Sequence, residues 1–522
     1  MVLRRGGWVR ARLHASHRQG PSPGLGPDRA LLALPRLIAA VVGALGLGSW
    51  LVLAAAHRDD LYRVGFVSGA WLELVRSAAH GLLYPPLFDG RYFGGTRYMP
   101  LTILLMSGLT KITHDELLAA RLVTDASAVA VALIVYSILR VARVPVAVRL
   151  LLIGALAITL ADDTLTVHGD LLSVGLQLGA LALVARSLST PSVTGAGLLC
   201  ALALFAKLNA LWAPVAILVW LSLHARRQLR SFAAAFAVPL ALLVAATDIA
   251  THGRFLTNLR ELAGAGRVGT GLTLRYLAGV EGSPFDRALG YLGPTGIVLV
   301  ALASLHIAFA VARRRLTIYD IAFPAAAATL WVTLLDRGAT QNHLVDMVTL
   351  AAICAGLLAG EGGLFSGRDR QAVELLAIVL VVLTSVVTYQ RSTRFAATDA
   401  LHVLTGRTYS HTVSNLRELV PARGEILSED PTIPFAADQR PVILDPFMLR
   451  RIGERHPAWR DSLIARIQRH DFSRIYLIGP INASSQGWYR YFNLGTPVAD
   501  AIQRSYSYVG TVDGYAKYVP RA

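Results

Sequence analysis

Eleven long apolar runs confine this chain to one kind of fold. In a bilayer each backbone N–H and C=O must be satisfied within the protein, so an apolar run of about 20 residues becomes a helix, and one buried among other helices can be shorter. The runs are Leu31–Ala56, Leu118–Leu139, Val146–Ala161, Leu171–Ala185, Gly195–Ala206, Ala210–Leu223, Phe232–Ala250, Ala288–Val311, Ile318–Leu335, Leu344–Gly360 and Ala372–Tyr389. Charged residues make up 16% of the 522 residues, against roughly 25% in an ordinary soluble domain. Disordered, collagen-like and typical water-soluble enzymes are thereby excluded. The fold expected is mostly α, a polytopic membrane helix bundle of about 11 transmembrane helices. A further apolar run, Met99–Ile112, is short and follows a long polar loop, so it reads as an interfacial or re-entrant helix.

The basic residues give the orientation. The net charge is +17, and only three of the 50 basic residues are lysines, Lys111, Lys207 and Lys517. Arginines crowd the N-terminus (Arg4, Arg5, Arg10, Arg12, Arg18, Arg29) and then alternate loops: Arg140, Arg143 and Arg149; Arg226, Arg227 and Arg230; Arg313, Arg314 and Arg315; Arg368 and Arg370. Positive loops stay inside, so the N-terminus is expected in the cytosol of a cell with this protein in its plasma (inner) membrane. An odd number of spans then puts everything after Tyr389 outside. Nucleic acid is not an expected partner, because the charge sits where topology requires it. Ala54-Ala55-Ala56 imitates a signal-peptidase site, but the apolar stretch before it is too long for a signal peptide. Cys200 and Cys354 both lie in apolar runs, so no disulfide framework or CxxC pair is available.

Three regions follow: residues 1–30 as a cytosolic Arg-rich N-terminus, 31–389 as the membrane domain and 390–522 as an extracytoplasmic domain. In the last, Glu425–Leu427, Val442–Leu444 and Ile475–Ile478 read as short strands and Trp459–Arg469 as a helix, which predicts a small α/β domain.

Polar residues collect at the outer ends of the spans, where they are costly unless used. The first outer loop opens with His57-Arg58-Asp59-Asp60 and carries Arg97 and Tyr98; the second span begins with Arg121 and Asp125. The next outer loop holds Asp162, Asp163, His168 and Asp170. Lys207 and Asn209 lie between two spans, and Asp336, Asn342, His343 and Asp346 border a late one. Within the first loop, Ala70, Trp71, Leu74, Val75 and Ala78 have helical spacing, so this helix is expected to lie flat with Trp71 at headgroup level. Gly94-Gly95 permits a close backbone approach. Gly264-Ala265-Gly266-Arg267-Val268-Gly269 matches GxGxxG but has neither the preceding strand nor the cytosolic position of a dinucleotide site, so it reads as a loop. Asn482-Ala483-Ser484 is a glycosylation sequon in form only.

This layout resembles the GT-C superfamily of membrane glycosyltransferases, which includes glycosyltransferase family 39. The resemblance rests on the acidic pair Asp59-Asp60 directly after the first helix, the short helix entered through Pro100, the second acidic loop, Lys207 between later spans, and Asn342-His343 with Asp346 opening a late span. Asp59-Asp60 departs from the Asp-Glu pairing common in family 39, and the Gly94–Tyr98 segment is particular to a subgroup, so donor and acceptor identities do not carry over.

The resemblance implies transfer of a sugar from a polyprenyl-phosphate carrier to a glycan, lipid or protein acceptor at the outer face, with membrane lipids and the lipid-linked sugar as partners. Asp60 or Asp59 would be the catalytic general base. Lys207, with Arg97, Arg121 or His343, would bind the donor phosphate. Asp162, Asp163, His168, Asp170, Tyr98, Asn342 and Asp346 would bind substrate, or the acidic loops would share a divalent metal ion; the resemblance leaves the metal open. The outer C-terminal domain would bind or gate the acceptor. Two other classes fit the spans: a transporter or flippase of a lipid-linked or small polar substrate, and a non-catalytic scaffold. They part at one residue. Asp60→Asn should abolish glycosidic product in an enzyme while leaving the fold intact, should alter flux with no such product in a transporter, and should be silent in a scaffold, as product analysis and flux in vesicles would read.

Overall fold

A computed structural model describes residues 32–59, 61, 65–161, 165–262, 284–336, 339, 341–360, 364–365, 367–405, 413–482, 485–491 and 493–521. The arginine-rich N-terminus, Asp60, Asp162, Asp163, the glycine-rich segment 264–269 and most of the sequon at 482–484 therefore lie wholly or partly outside the described residues.

A helix lies over every one of the eleven apolar runs. Numbered through the described residues, the membrane part comprises α1 (Ala33–Ala56), α2 (Gly65–Ala79), α3 (Pro100–Thr113), α4 (Glu116–Val141), α5 (Val146–Thr159), α6 (Asp170–Arg186) and α7 (Thr190–Ala206). It continues with α8 (Trp212–His224), α9 (Leu229–Ala250), α10 (Arg254–Leu262), α11 (Pro284–Ala312), α12 (Ile318–Leu334), α13 (Val345–Ala359) and α14 (Gly367–Thr405). Six of the helices among the described residues are long and apolar enough to cross a membrane. Shorter ones such as α5 are buried by their neighbours instead. Helix α13 is the innermost, with nearly every side chain buried. On α1 and α9 the exposed side chains include Leu34, Leu37, Val41, Leu45, Val238, Leu242 and Ile249, the surface that a lipid-facing helix presents.

Helix ends follow local sequence. Asp115 caps α4 by accepting from the Leu118 N–H at 2.9 Å, and Thr317 with Asp320 forms a capping box on α12. Helix α11 changes direction at Gly293, whose φ of 62° precedes Pro294. One buried charge of the bundle is paired directly: Glu374 on α14, fully buried, accepts two bonds from Arg36 on α1, at 2.7 and 2.9 Å. Helices α1 and α5 cross at glycines. A Cβ on Gly43 would lie 2.4 Å from the Leu150 carbonyl, and one on Gly154 would lie 2.3 Å from the Gly43 oxygen.

The C-terminal domain, called outer for the placement expected of it, adds α15 (Val413–Leu419), α16 (Thr432–Ala436), α17 (Pro446–Arg455), α18 (Pro457–Gln468), α19 (Gln486–Tyr491) and α20 (Thr496–Ser505). Its sheet has β1 (Glu425–Ser428), β2 (Phe472–Leu477), β3 (Tyr506–Val512) and β4 (Tyr515–Pro520) in the order β1-β2-β4-β3. Strands β1 and β2 are parallel; β4 runs antiparallel to both β2 and β3. The last hairpin turns at Asp513-Gly514, both with positive φ, the two-residue turn that suits strand twist.

Three expectations change. Val442–Leu444 is not a strand of the sheet: Ile443 makes an isolated parallel bridge to Phe93 of the first outer loop. Trp71 does not stand on a lipid-facing surface: it is 4% exposed and stacks on Tyr98 with ring centroids 4.7 Å apart. The apolar face of α2 is covered by protein, which buries more of it than a bilayer interface would. Finally, α14 continues beyond Tyr389 to Thr405, so no helix break marks the position where hydropathy ends the membrane domain.

Gly43→Ala should lower stability by about 1–3 kcal/mol, because the new methyl meets backbone that cannot rotate away. Gly48→Ala, where a Cβ meets nothing within 4 Å, should be neutral or mildly stabilising. Thermal unfolding of both variants in detergent checks the contrast.

Candidate active site

The ends of α6, α7 and α13 bring four of the nominated residues together. Lys207, just past α7, places its ammonium against Asp170 at the start of α6 and 3.5 Å from Asp346 on α13. Both carboxylates are engaged on their other oxygens as well. The Asn342 amide donates to Asp170 Oδ2 at 3.2 Å, and the Trp212 indole donates to Asp346 Oδ1 at 2.6 Å. An ammonium has three N–H groups, and among the described residues Lys207 turns to these two carboxylates.

Two histidines flank this pair. His168 Nδ1 is 2.9 Å from Thr166 Oγ1 and 3.8 Å from Asp170. Asn209 donates to Thr333 Oγ1 at 3.2 Å and lies 3.3 Å from His343 Nδ1. If Nδ1 of His343 accepts from Asn209, its Nε2 carries the proton and can donate. The Gln177 carbonyl accepts from the Ala213 N–H at 3.2 Å and secures the start of α8, hence Trp212.

The first outer loop reaches the same place. Tyr84 donates to the Tyr98 carbonyl at 2.6 Å, and the Thr96 N–H donates to Asn258 of α10 at 2.8 Å. These bonds set Arg97, which donates to Asp336 Oδ2 at 2.9 Å and faces the Phe447 ring at 5.6 Å. Gly94 and Gly95 do allow a close approach, but to protein: a Cβ on Gly94 would meet the Pro86 oxygen at 2.6 Å and one on Gly95 would meet Leu87 at 2.7 Å.

The outer domain contributes Asp445. Backbone bonds Phe93 N–H to Val442 O (2.8 Å) and Leu444 N–H to Phe93 O (2.9 Å) tie residues 442–444 to the loop. Asp445 then caps α17, accepting from Phe447 and Met448 at 3.1 and 3.3 Å, beside Arg97 and Tyr98. Burial pushes its carboxyl up to about 6, against the opposing pull of Arg97, the two backbone donors and Tyr98. Further out, burial pushes Glu73 of α2 up to about 7, against Arg76.

Arg97, Tyr98, His168, Asp170, Lys207, Asn342, His343 and Asp346 thus share one region. Arg121 is buried and donates to the His57 carbonyl at 3.3 Å, next to the start of the first loop. Asp59 is exposed just beyond α1. Asp60, Asp162 and Asp163 lie outside the described residues. Sequence reasoning did not single out Trp212 or Asp445. Trp212 is hidden in an apolar run, and the only sign of Asp445 is the Asp-Pro pair that opens a helix. Among the described residues no group of three His, Cys, Asp or Glu side chains is arranged to hold a divalent ion. Asp170 and Asp346 turn their facing oxygens to Lys207 instead.

The raised Asp445 carboxyl has a signed consequence. Its neutral form is favoured in the fold, so its contribution to stability is complete below about pH 4 and is lost as pH rises through about 6. Asp445→Asn keeps an oxygen for the α17 cap and removes the titration. The variant should lose less stability than the native chain between pH 4 and 7, by an amount on the order of 2 kcal/mol. Melting curves across that range, native against variant, measure it; Glu73 titrates in both and cancels.

No family model and no curated protein sequence matches the chain. Solved structures do. ArnT from Cupriavidus metallidurans in the apo state is 14% identical with a TM-score of 0.52, over 92% of this chain and 97% of that one. ArnT bound to undecaprenyl phosphate gives 15%, the same coverage and 0.50. The apo Archaeoglobus fulgidus oligosaccharyltransferase is 13% identical with a TM-score of 0.51, over 91% of this chain and 74% of that one. Likeness over nearly the whole length means that the chain has the fold that ArnT and this oligosaccharyltransferase share.

Proposed function

We propose that this chain is an integral membrane glycosyltransferase that moves a sugar from a polyprenyl-phosphate carrier to an acceptor at the outer face of the membrane. The observation that carries the reading is the Lys207 ammonium, fixed between Asp170 and Asp346 with Arg97 nearby, in a fold shared with ArnT bound to undecaprenyl phosphate. On this reading residues 1–30 are cytosolic, 31–389 form the membrane domain, and 390–522 form the outer domain that binds or gates the acceptor.

The residues divide by how they are engaged. Asp170 and Asp346 have both oxygens taken by Lys207, Asn342 and Trp212, so they hold the cation rather than take a proton. The base is then a first-loop carboxylate, Asp59 or Asp60. It accepts the proton of the acceptor hydroxyl as that oxygen bonds to the anomeric carbon. The bond from that carbon to the phosphate oxygen breaks, and the polyprenyl phosphate leaves with its added negative charge. Lys207, Arg97, Arg121 and the His343 Nε2–H are the groups to meet that charge. Tyr98, His168 and Asn342, with Asp162 and Asp163, are the groups for the hydroxyls of the sugar or acceptor.

Purified protein in vesicles, given a panel of undecaprenyl-phosphate sugars, should turn over one donor. Lys207→Met should reduce that turnover by roughly 100-fold or more, the scale of losing a transition-state charge partner, with Lys207→Arg retaining part of it. One of Asp59→Asn and Asp60→Asn should be inactive while the other is not. A folded protein that releases no sugar from any donor, yet moves a lipid-linked sugar across the bilayer, would overturn the enzyme reading in favour of a flippase.

A further inference from the structure

At the end of the bundle away from Lys207, Arg149 is buried with no ion pair among the described residues. It lies one turn into α5, about 15 Å along that helix from Thr159, beyond which the chain runs on to Asp170. The side chain belongs to a residue only 8% exposed, and neither its Nε nor its Nη1 has a hydrogen-bond partner. The Tyr136 ring of α4, its centroid 4.5 Å from the guanidinium carbon, attracts the charge without satisfying those N–H groups. Bare buried donors forfeit their hydration, and a buried charge forfeits more. The acids at this end do not make up the loss. Among the described residues they are Asp320, Asp369 and Glu374. Glu374 gives both oxygens to Arg36, at 2.7 and 2.9 Å. Asp320 caps α12 and faces His306 at 3.0 Å, and Asp369 is exposed on the first turn of α14.

The surroundings indicate what kind of partner fits. Helices α4 and α5 present Leu133, Val141 and Val146 to the outside, each more than half exposed, so this surface suits lipid tails. Arg140 is exposed one turn on from Tyr136, on the same face of α4, and so stands nearer the water. A ligand here needs anionic oxygens for a guanidinium just below the surface and apolar substance beside them. A phospholipid has both. We propose that Arg149, backed by Tyr136 and with Arg140 at the rim, binds the headgroup phosphate of an anionic phospholipid in the leaflet at the arginine-rich end of the bundle. The phosphate oxygens accept from the guanidinium, and the acyl chains lie along the apolar surface of α4 and α5. The lipid supplies the counter-charge that the protein omits. This site is separate from the Lys207 centre and does not depend on the sugar-transfer reading.

Full-length protein in nanodiscs of phosphatidylcholine, alone or with phosphatidylglycerol admixed, tests this by thermal melting and by native mass spectrometry of the lipids retained. The native chain should melt higher with phosphatidylglycerol and retain it roughly tenfold over phosphatidylcholine, the scale of one charge-assisted contact. Arg149→Gln and Arg149→Met should lose both gains, yet melt no lower than the native chain in phosphatidylcholine alone, because an unpaired buried charge has gone. Arg149→Lys should keep part of the preference. Arg227→Gln removes an exposed arginine from the turn between α8 and α9 and should behave as the native chain. Equal retention of the two lipids by the native chain overturns the proposal. So does a loss in Arg227→Gln as large as in the Arg149 variants, which makes the preference a matter of net charge. Arg149 variants that melt lower in phosphatidylcholine but keep the preference show a purely structural arginine. Inorganic phosphate, added to the protein in neutral detergent, should leave melting unchanged; a rise that matches phosphatidylglycerol and requires Arg149 overturns the lipid in favour of a soluble anion.

Discussion

The outer ends of three helices meet on one ammonium. Lys207 follows α7, Asp170 opens α6 and Asp346 lies in the first turn of α13, so the ion pairs fix the spacing of helices that otherwise touch only through apolar side chains. Leaving any one of these charges without its partner beside the low-dielectric bundle would cost several kcal/mol. The arrangement is therefore kept whole by the same penalty that makes it rare. Trp212 and Asn342 are held in turn by Asp346 and Asp170, which carries the constraint into α8 and the turn before α13.

The second constraint is the first outer loop, which belongs to the membrane part in sequence and to the outer domain in packing. Leu87 and Phe93 lie in the same apolar core as Leu427, Phe447, Ile452 and Tyr518. Polar ties reinforce it: Arg91 bonds Glu425 at 3.2 and 3.1 Å, Arg440 meets Asp89 at 2.8 Å, and Arg76 donates to the Phe435 carbonyl at 2.8 Å. Several of these are exposed enough to contribute little individually; the shared core does most of the joining. The outer domain is consequently part of the site's wall. This is why one of its carboxylates, Asp445, stands beside Arg97.

Much of this was legible in the residues. Long apolar runs leave the backbone no alternative to helices in a membrane, and helices lie over all eleven. Charged groups at the outer ends stood out because apolar surroundings make them expensive, and Lys207, Asp170 and Asp346 do come together. Trp212 was not legible, because an indole within an apolar run gives no sign that its N–H is needed. Trp71 misled for the opposite reason: helical spacing says that one face of α2 is apolar, and says nothing about whether lipid or protein covers it. Val442–Leu444 has strand composition, yet its bridge is to a loop some 350 residues earlier, a pairing that local pattern cannot register. Asp513-Gly514 is a turn signal in the sequence, and it closes the β3–β4 hairpin.

By itself, then, the sequence determined the solvent. Hydropathy and the placing of arginines demand a membrane bundle with its polar chemistry at one interface, because each unsatisfied or misplaced polar group there is costly wherever the helices end up. Which carboxylate meets which cation was decided only by the tertiary structure. Asp170, Lys207 and Asp346 are spread over more than 170 residues, and Arg97 and Asp445 over nearly 350. In water at physiological salt, attraction between charges is largely screened beyond about 8 Å, so these partnerships exist only once the packed helices and the bridged loop have set the distances.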